Sequence, residues 1–327
     1  MRLRYATILW GLALALAVSA PPAATAQTKL SVTQYGKVIS SLPWAIALDK
    51  GWLKQDGLKI ESILSSDGGG TSMRNMLASD LPFGETAISA AVAAKLKAKL
   101  DIVLVYGGGD SIGELTWMSL PDSPVKTIED MRGRTISYTN PQSATEMLLR
   151  LVLDKHGIPP DAMKLVTSGS VAATITALNQ HGIDAGPVSD PMLYDNENKL
   201  HTVFAASSEI PRYEWYAGVT TKAFAKEHPE TIRALIAARR KAVKFIAEQP
   251  DAAAAIYAKV WELDEKTAAI MLKRAARYRY WSEGEFDKEG IATVTKGLQL
   301  AGVTEQVFNL NSIIDQSFLP EELRRPL

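Results

Sequence analysis

Apolar and polar positions change period repeatedly from Lys29 onward, and each change predicts an element. KLSVTQY (29–35) reads as a strand. A polar loop carrying Ser41 follows, and Pro43 then opens a helix with Trp44, Ala47 and Leu48 on one face, closed by Gly51. KIESIL (59–64) is a second strand, and after three glycines Met73, Met76 and Leu77 fall at helical spacing. LPFG (81–84), a helix over 87–100 and the strand DIVLVY (101–106) complete three strand–helix units. Such alternation predicts an α/β fold with a parallel or mixed sheet.

After Gly107, Gly108 and Gly109 the pattern restarts. ELTWMSL, RTISYT, KLVTSG and IDAGPV read as strands, with helices over 143–156 and 171–180, and His201 opens one strand more. WYAGVT (215–220) is a last strand, and beyond it the chain is helical, with Pro229, Asp251, Asp264 and Asp287 marking helix starts. The organisation predicted is a leader over 1–26, a first lobe over 27–116, a second over 117–214, and a return to the first over 215–327. Two crossings, near Trp117 and Trp215, would then act as a hinge beside a cleft.

Composition narrows the class. With 327 residues, 46% hydrophobic and 22% charged, the chain has material for about two globular domains. Its 36 basic and 36 acidic residues form no basic stripe, which argues against a nucleic-acid partner. Arg2 and Arg4 before an apolar run from Ala6 to Ala20, then Ala24-Thr25-Ala26, have the pattern of a cleaved secretory leader. No later stretch approaches the roughly 20 apolar residues of a membrane span. The absence of cysteine removes both disulfides and the thiol that would carry a lipid anchor. These features predict a soluble, monomeric periplasmic protein that is not a lipoprotein.

Candidate chemistry gathers at strand ends. Gly69 and Gly70 allow close backbone approach at the start of a helix, with the hydroxyls of Thr71 and Ser72 beside its unpaired N–H groups; such a terminus attracts anions. The Gly-Lys-Ser/Thr ending of a phosphate-binding P-loop is missing. TNPQSATEML (139–148) offers a second terminus, capped by Asn140 with Pro141 or by Ser143 with Glu146, and Thr145 adds a hydroxyl. Other strand ends present Glu85-Thr86, Ser168-Gly169-Ser170 and Ser189-Asp190. Trp117, Tyr213 and Trp215 lie on the crossings, where rings would cover a ligand. The candidate contacts are thus Ser41, Gly69, Gly70, Thr71, Ser72 and Thr86 from the first lobe, Asn140, Ser143, Thr145, Ser170 and Asp190 from the second, and the three crossing aromatics. Plain capping and packing explain each position equally well taken singly. Gly107-Gly108-Gly109 fails the spacing of a dinucleotide fingerprint, and no G-x-S-x-G, H-E-x-x-H or cysteine nucleophile exists. Neither cofactor nor metal is predicted.

LPWAIALDKGWLKQDGLKIE (42–61), DSPVKTIEDMRGRTISYTNPQSATEMLL (122–149), HGIDAGPVSDPM (181–192) and KEHPETIRALIAARRKAVKFIAEQP (226–250) together resemble the substrate-binding proteins of ABC importers for nitrate, sulfonates, taurine and thiamine pyrimidine precursors. The resemblance implies a two-lobed periplasmic binding protein of type II with mixed sheets flanked by helices, an interlobe cleft and a helical C-terminal tail. It further implies a non-enzymatic role: capturing a small polar or anionic organic solute and delivering it to a permease and ATPase complex. Alternatives are a periplasmic enzyme on the same scaffold and a ligand-sensing accessory protein. Two departures from the family pattern, Ser79 to Gly84 and Asp190-Pro191, leave the ligand open.

Overall fold

Strands and helices alternate through most of the computed structural model, which describes residues 28–113, 115–278 and 280–327; the predicted leader lies outside them. The first part contains β1 (Thr28–Thr33), α1 (Leu42–Asp49), β2 (Ile60–Ser66), α2 (Gly69–Leu77), β3 (Phe83–Ala87), α3 (Ile88–Lys97) and β4 (Ile102–Gly109). The second contains β5 (Thr116–Ser119), β6 (Thr135–Tyr138), α4 (Ala144–Lys155), β7 (Lys164–Thr167), α5 (Val171–Asn179), β8 (Gly186–Val188), α6 (Met192–Asn196), β9 (His201–Ala205) and α7 (Ala206–Glu209). Then come β10 (Tyr216–Thr221), α8 (Lys222–Glu227), α9 (Pro229–Glu248), α10 (Pro250–Trp261), α11 (Glu265–Ala275) and α12 (Lys288–Leu300).

In the first lobe β1 runs parallel to β2 and β3, and β10 returns antiparallel between β3 and β4, giving the order β2-β1-β3-β10-β4. In the second, β5 lies antiparallel between β8 and β9, and a bridge from Ile136 to Ala185 joins the parallel pair β6–β7 to that group. The three glycines at 107–109 do not end β4 as predicted but continue it. Glycine is required there by close approach: a methyl on Gly108 would strike the Tyr216 ring, and one on Gly218 opposite would strike the Tyr106 ring.

Between those rings sits a buried polar cluster. Glu85 points from β3 into the core, where its carboxylate accepts from Arg239 Nε of α9 (2.9 Å) and Tyr106 Oη (2.7 Å). Arg239 spends its remaining donors on the carbonyls of Ser282 (2.9 Å) and Gly108 (2.8 Å), and its guanidinium lies 4.8 Å from the centre of the Tyr106 ring. Pair, sheet and tail helix are therefore locked together with nearly all polar atoms satisfied. Glu85, predicted from sequence to end a strand at the cleft, is instead internal to β3, which runs on past LPFG to Ala87.

The tail contacts both lobes. Asp264 and Asp287 cap α11 and α12 as predicted, accepting from the N–H groups of Thr267 and Gly290; α10 starts at Pro250, which places Asp251 in its first turn and not at the cap. Helices α9 and α10 pack on α1 of the first lobe. By contrast α12 lies along α4 of the second lobe, where Gly297 seats against Met147 and Leu151 and Lys296 pairs with Asp154. The chain then returns, and Asp315 N–H donates to Leu104 of β4 (2.9 Å). Sequence reading anticipated two crossings between lobes; the tail adds two more. Arg212, on the second crossing, ties three of the four together, pairing with Asp110 beyond β4 (2.8 Å) and with Asp287 ahead of α12. Glu214, buried beside them, accepts from the N–H groups of Asp287 (3.0 Å) and Gly109 (3.3 Å), and burial pushes its carboxyl well above the usual range.

Candidate functional site

A cavity of about 600 Å³ lies where the two lobes face each other. Its polar end is built from strand-to-helix junctions. Gly68, Gly69 and Gly70 come from the start of α2, Ala87 and Ser89 from the start of α3, and Asn140, Ser143 and Thr145 from the start of α4. Helix geometry leaves the first N–H groups of each without an intrahelical acceptor. Its other end is apolar, formed by Leu77 of α2 with Ala94, Ala98 and Leu100 on and beyond α3. Trp215 and Tyr280 add rings, and the indole N–H of Trp215 is buried with no acceptor among the described residues. Lys97 of α3 donates to Gln142 Oε1 ahead of α4 (2.9 Å), so the lobes touch beside the opening.

Hydroxyl clusters set these junctions. In the first lobe Thr33 Oγ1 bonds Ser72 Oγ (2.6 Å) and Thr86 Oγ1 (3.1 Å), Ser72 also bonds Ser66, and Thr86 donates to the Gly69 carbonyl (3.4 Å). Ser72 and Thr86 are thus buried beneath α2, fixing its first turn, while Thr33 itself lines the cavity. In the second lobe Thr139, Ser143 and Thr145 form the counterpart, with Thr139 N–H donating to Thr145 Oγ1 (2.9 Å). Of the two caps open from sequence, the structure uses Ser143, which accepts from Glu146 N–H (3.3 Å). The Glu146 carboxylate reaches back to Gln142 N–H (2.6 Å).

Of the sequence-derived candidates, the cavity brings together Gly69, Gly70, Asn140, Ser143, Thr145 and Trp215. The others lie off its lining. Ser41 is fully buried and donates to Val38 O (3.0 Å). Thr71 is exposed and accepts from Arg74 (2.8 Å), and Ser170 caps α5 by accepting from Ala173 N–H (3.1 Å). Trp117 stacks on Phe204 with ring centres 5.0 Å apart and donates to Ser137 O, and Tyr213 is wholly buried. Sequence reading missed Thr33, Arg74 and Tyr280. The first has a legible signal, a hydroxyl at the end of the first strand; the other two depend on folding back and on long-range contact.

Asp190 is nine-tenths and more buried at the end of β8, facing α11. Arg274 of α11 grips it (3.4 Å) and also Glu197 (2.8 Å), with the guanidinium 5.8 Å from the centre of the Tyr194 ring, so this arginine clasps α6 across the lobes. Burial pushes the Asp190 carboxyl up to about 6, assisted by the nearby charges of Glu197 and Asp195; Arg274 and the Tyr194 N–H pull the other way but do not prevail. Because the folded value lies above the unfolded 3.8, Asp190 favours folding most below pH 4, and the advantage is lost as pH rises through 6. Replacing it with Asn should therefore flatten the pH dependence. Between pH 4 and pH 8 the wild type should lose roughly 3 kcal/mol relative to Asp190→Asn, measured by denaturant titration at each pH. Parallel stability curves would refute this.

Among the described residues no group of three or more His, Asp or Glu side chains could hold a metal ion, and no helix is long and apolar enough to cross a membrane. Two α/β lobes enclosing a cavity at facing strand ends define the periplasmic-binding-protein fold. Solved structures agree. The periplasmic aliphatic sulphonate binding protein SsuA from Escherichia coli superimposes with a TM-score of 0.73 at 15% identity, covering 89% of this chain and 98% of that one. SsuA from Xanthomonas axonopodis pv. citri, an alkanesulfonate-binding protein bound to MOPS, gives 0.71 at 14% identity over the same shares. The desulfurization enzyme DSZB shares the fold at 0.64 and 15% identity, covering 90% of this chain and 98% of that one. In sequence, a binding protein of Brucella abortus (strain 2308) is 24% identical over 226 residues, 68% of each chain. The chain belongs to the NMT1/THI5-like family, whose model matches residues 39–253.

Proposed function

We propose that the protein is the solute-capturing component of an ABC importer, holding a small organic solute with a polar or anionic head reversibly between its lobes and presenting it to a membrane permease. The observation that carries this reading is the interlobe cavity itself, with N–H groups and hydroxyls from both lobes converging at one end. Several neutral hydrogen bonds, each worth roughly 0.5–1.5 kcal/mol net, would fix the head. Apolar contact would hold the remainder, and closure would exclude water. The kinship with sulfonate-binding proteins supports capture, as do the leader-like start of the sequence and the lack of a recognisable nucleophile constellation.

A second reading is favoured by the shared fold of DSZB: an enzyme working in the same cavity. Thiol chemistry is closed to a chain without cysteine. Native mass spectrometry of the purified protein, before and after mild unfolding, should release an intact small molecule that rebinds unchanged. Turnover of that molecule would replace capture with catalysis. Coprecipitation with a permease would separate import from signalling.

A further inference from the structure

Among the described residues, side chains bridge the lobes beside the cavity at Lys97 and at Arg274, and the two contacts differ in strength. Lys97 meets the amide oxygen of Gln142 in an exposed hydrogen bond (2.9 Å), which water replaces at little cost. Arg274 makes the stronger contact. It projects from α11, which packs on α10 and so belongs to the first lobe, and both carboxylates it grips stand across the divide: Asp190 Oδ1 at the end of β8 (3.4 Å) and Glu197 Oε2 just after α6 (2.8 Å). Asp190 is only 3% exposed, and within its own lobe its carboxylate accepts from the Tyr194 N–H (3.2 Å). Withdrawing α11 would therefore leave a buried carboxylate on a single backbone donor, a larger cost than parting an exposed pair. Ser189, immediately before Asp190, lines the cavity, so the grip on Asp190 also fixes that stretch of wall.

We infer that Arg274 sets closure in this protein: its clasp on Asp190 and Glu197 holds the β8–α6 junction against the first-lobe tail, favours the shut arrangement already in the empty protein, and must break before the lobes part. The inference goes beyond the capture reading and is the same whichever solute or reaction the cavity serves. Arg274 touches no part of the cavity lining given above, so it acts by positioning the lobes and not by contact with the occupant. An arginine suits this task because its planar fork can serve two carboxylates at once, which a single lysine ammonium does less well.

Spin-label distances across the lobes test it without any ligand. The chain has no cysteine, so Glu248→Cys at the exposed end of α9 and Asn179→Cys at the exposed end of α5 carry the two labels. The protein is refolded from denaturant to strip any copurified solute and measured at pH 8, above the value of about 6 to which burial pushes Asp190, so that both carboxylates are charged. The unmodified clasp should give a substantial closed population. Arg274→Met should lower the ratio of closed to open by about 10-fold or more. Glu197→Gln, on the exposed side of the clasp, should lower it by about 2- to 5-fold, Arg274→Lys should fall between wild type and Arg274→Met, and Lys97→Met should change it less than 2-fold. If Arg274→Met fails to fold, Glu197→Gln carries the test alone. A wild type without a closed population, distances unmoved by Arg274→Met and Glu197→Gln, or an equal shift from Lys97→Met would each overturn the inference. So would an Arg274→Met protein that loses stability while keeping the wild-type distances, since that outcome makes Arg274 a packing residue of α11.

Discussion

Arg239→Met should lower the free energy of unfolding by about 3–5 kcal/mol, the largest stability loss we expect from any single exchange in this chain. The pair with Glu85 is buried on both sides, with side chains 1% and 4% exposed, so neither water nor salt replaces the missing partner. Methionine has about the right volume but leaves Glu85 with Tyr106 alone, and it strips the Ser282 and Gly108 carbonyls of their donors. Guanidinium chloride titration would measure the loss. Glu85→Leu combined with Arg239→Met should recover part of it, because two apolar groups leave no orphaned charge. A single-variant loss under about 1 kcal/mol would show that the cluster is not what joins α9 to the sheet.

Ala94→Trp should abolish solute capture, weakening the affinity of the solute that copurifies by roughly 100-fold or more while altering stability little. Ala94 is half-buried on the cavity wall of α3, so an indole there occupies ligand space and displaces little of the core. The expected readout is loss of the calorimetric signal with an unchanged denaturation midpoint. Retained affinity would move the solute away from α3, and a collapsed midpoint would mean that Ala94 is a packing residue.

Much of the first lobe was legible because local rules decide it. Pro43 and Gly51 bracket α1, strand and helix periods alternate from β1 to β4, and Ser143, Asp264 and Asp287 are caps whose partners lie three residues ahead. The passage resembling the family, 42–61, spans α1 to the start of β2, where those local signals are strongest. What local reading could not reach is long-range. Glu85 meets an arginine 154 positions away, Tyr280 arrives at the cavity from the tail, and α12 crosses to α4. Ser72 and Thr86 illustrate a subtler failure. Hydroxyls at a glycine-rich helix start are right for ligand binding in type and place, yet here they bond each other's neighbours through Thr33 and underpin the turn. Arg74 was hidden for the opposite reason: a residue one turn inside a helix reaches the terminus only by folding back along its axis.

Four passages of backbone between the lobes, three of them bound together at Arg212, restrict how the halves can move. A two-stranded joint would permit twist and splay in several directions, whereas four passages, three of them linked, would favour opening and shutting of the mouth beside Lys97 and Gln142. Fewer accessible orientations in the empty protein mean less rotational entropy to surrender when the mouth shuts. In the capture reading, more of the contact energy would then remain as grip on the cargo.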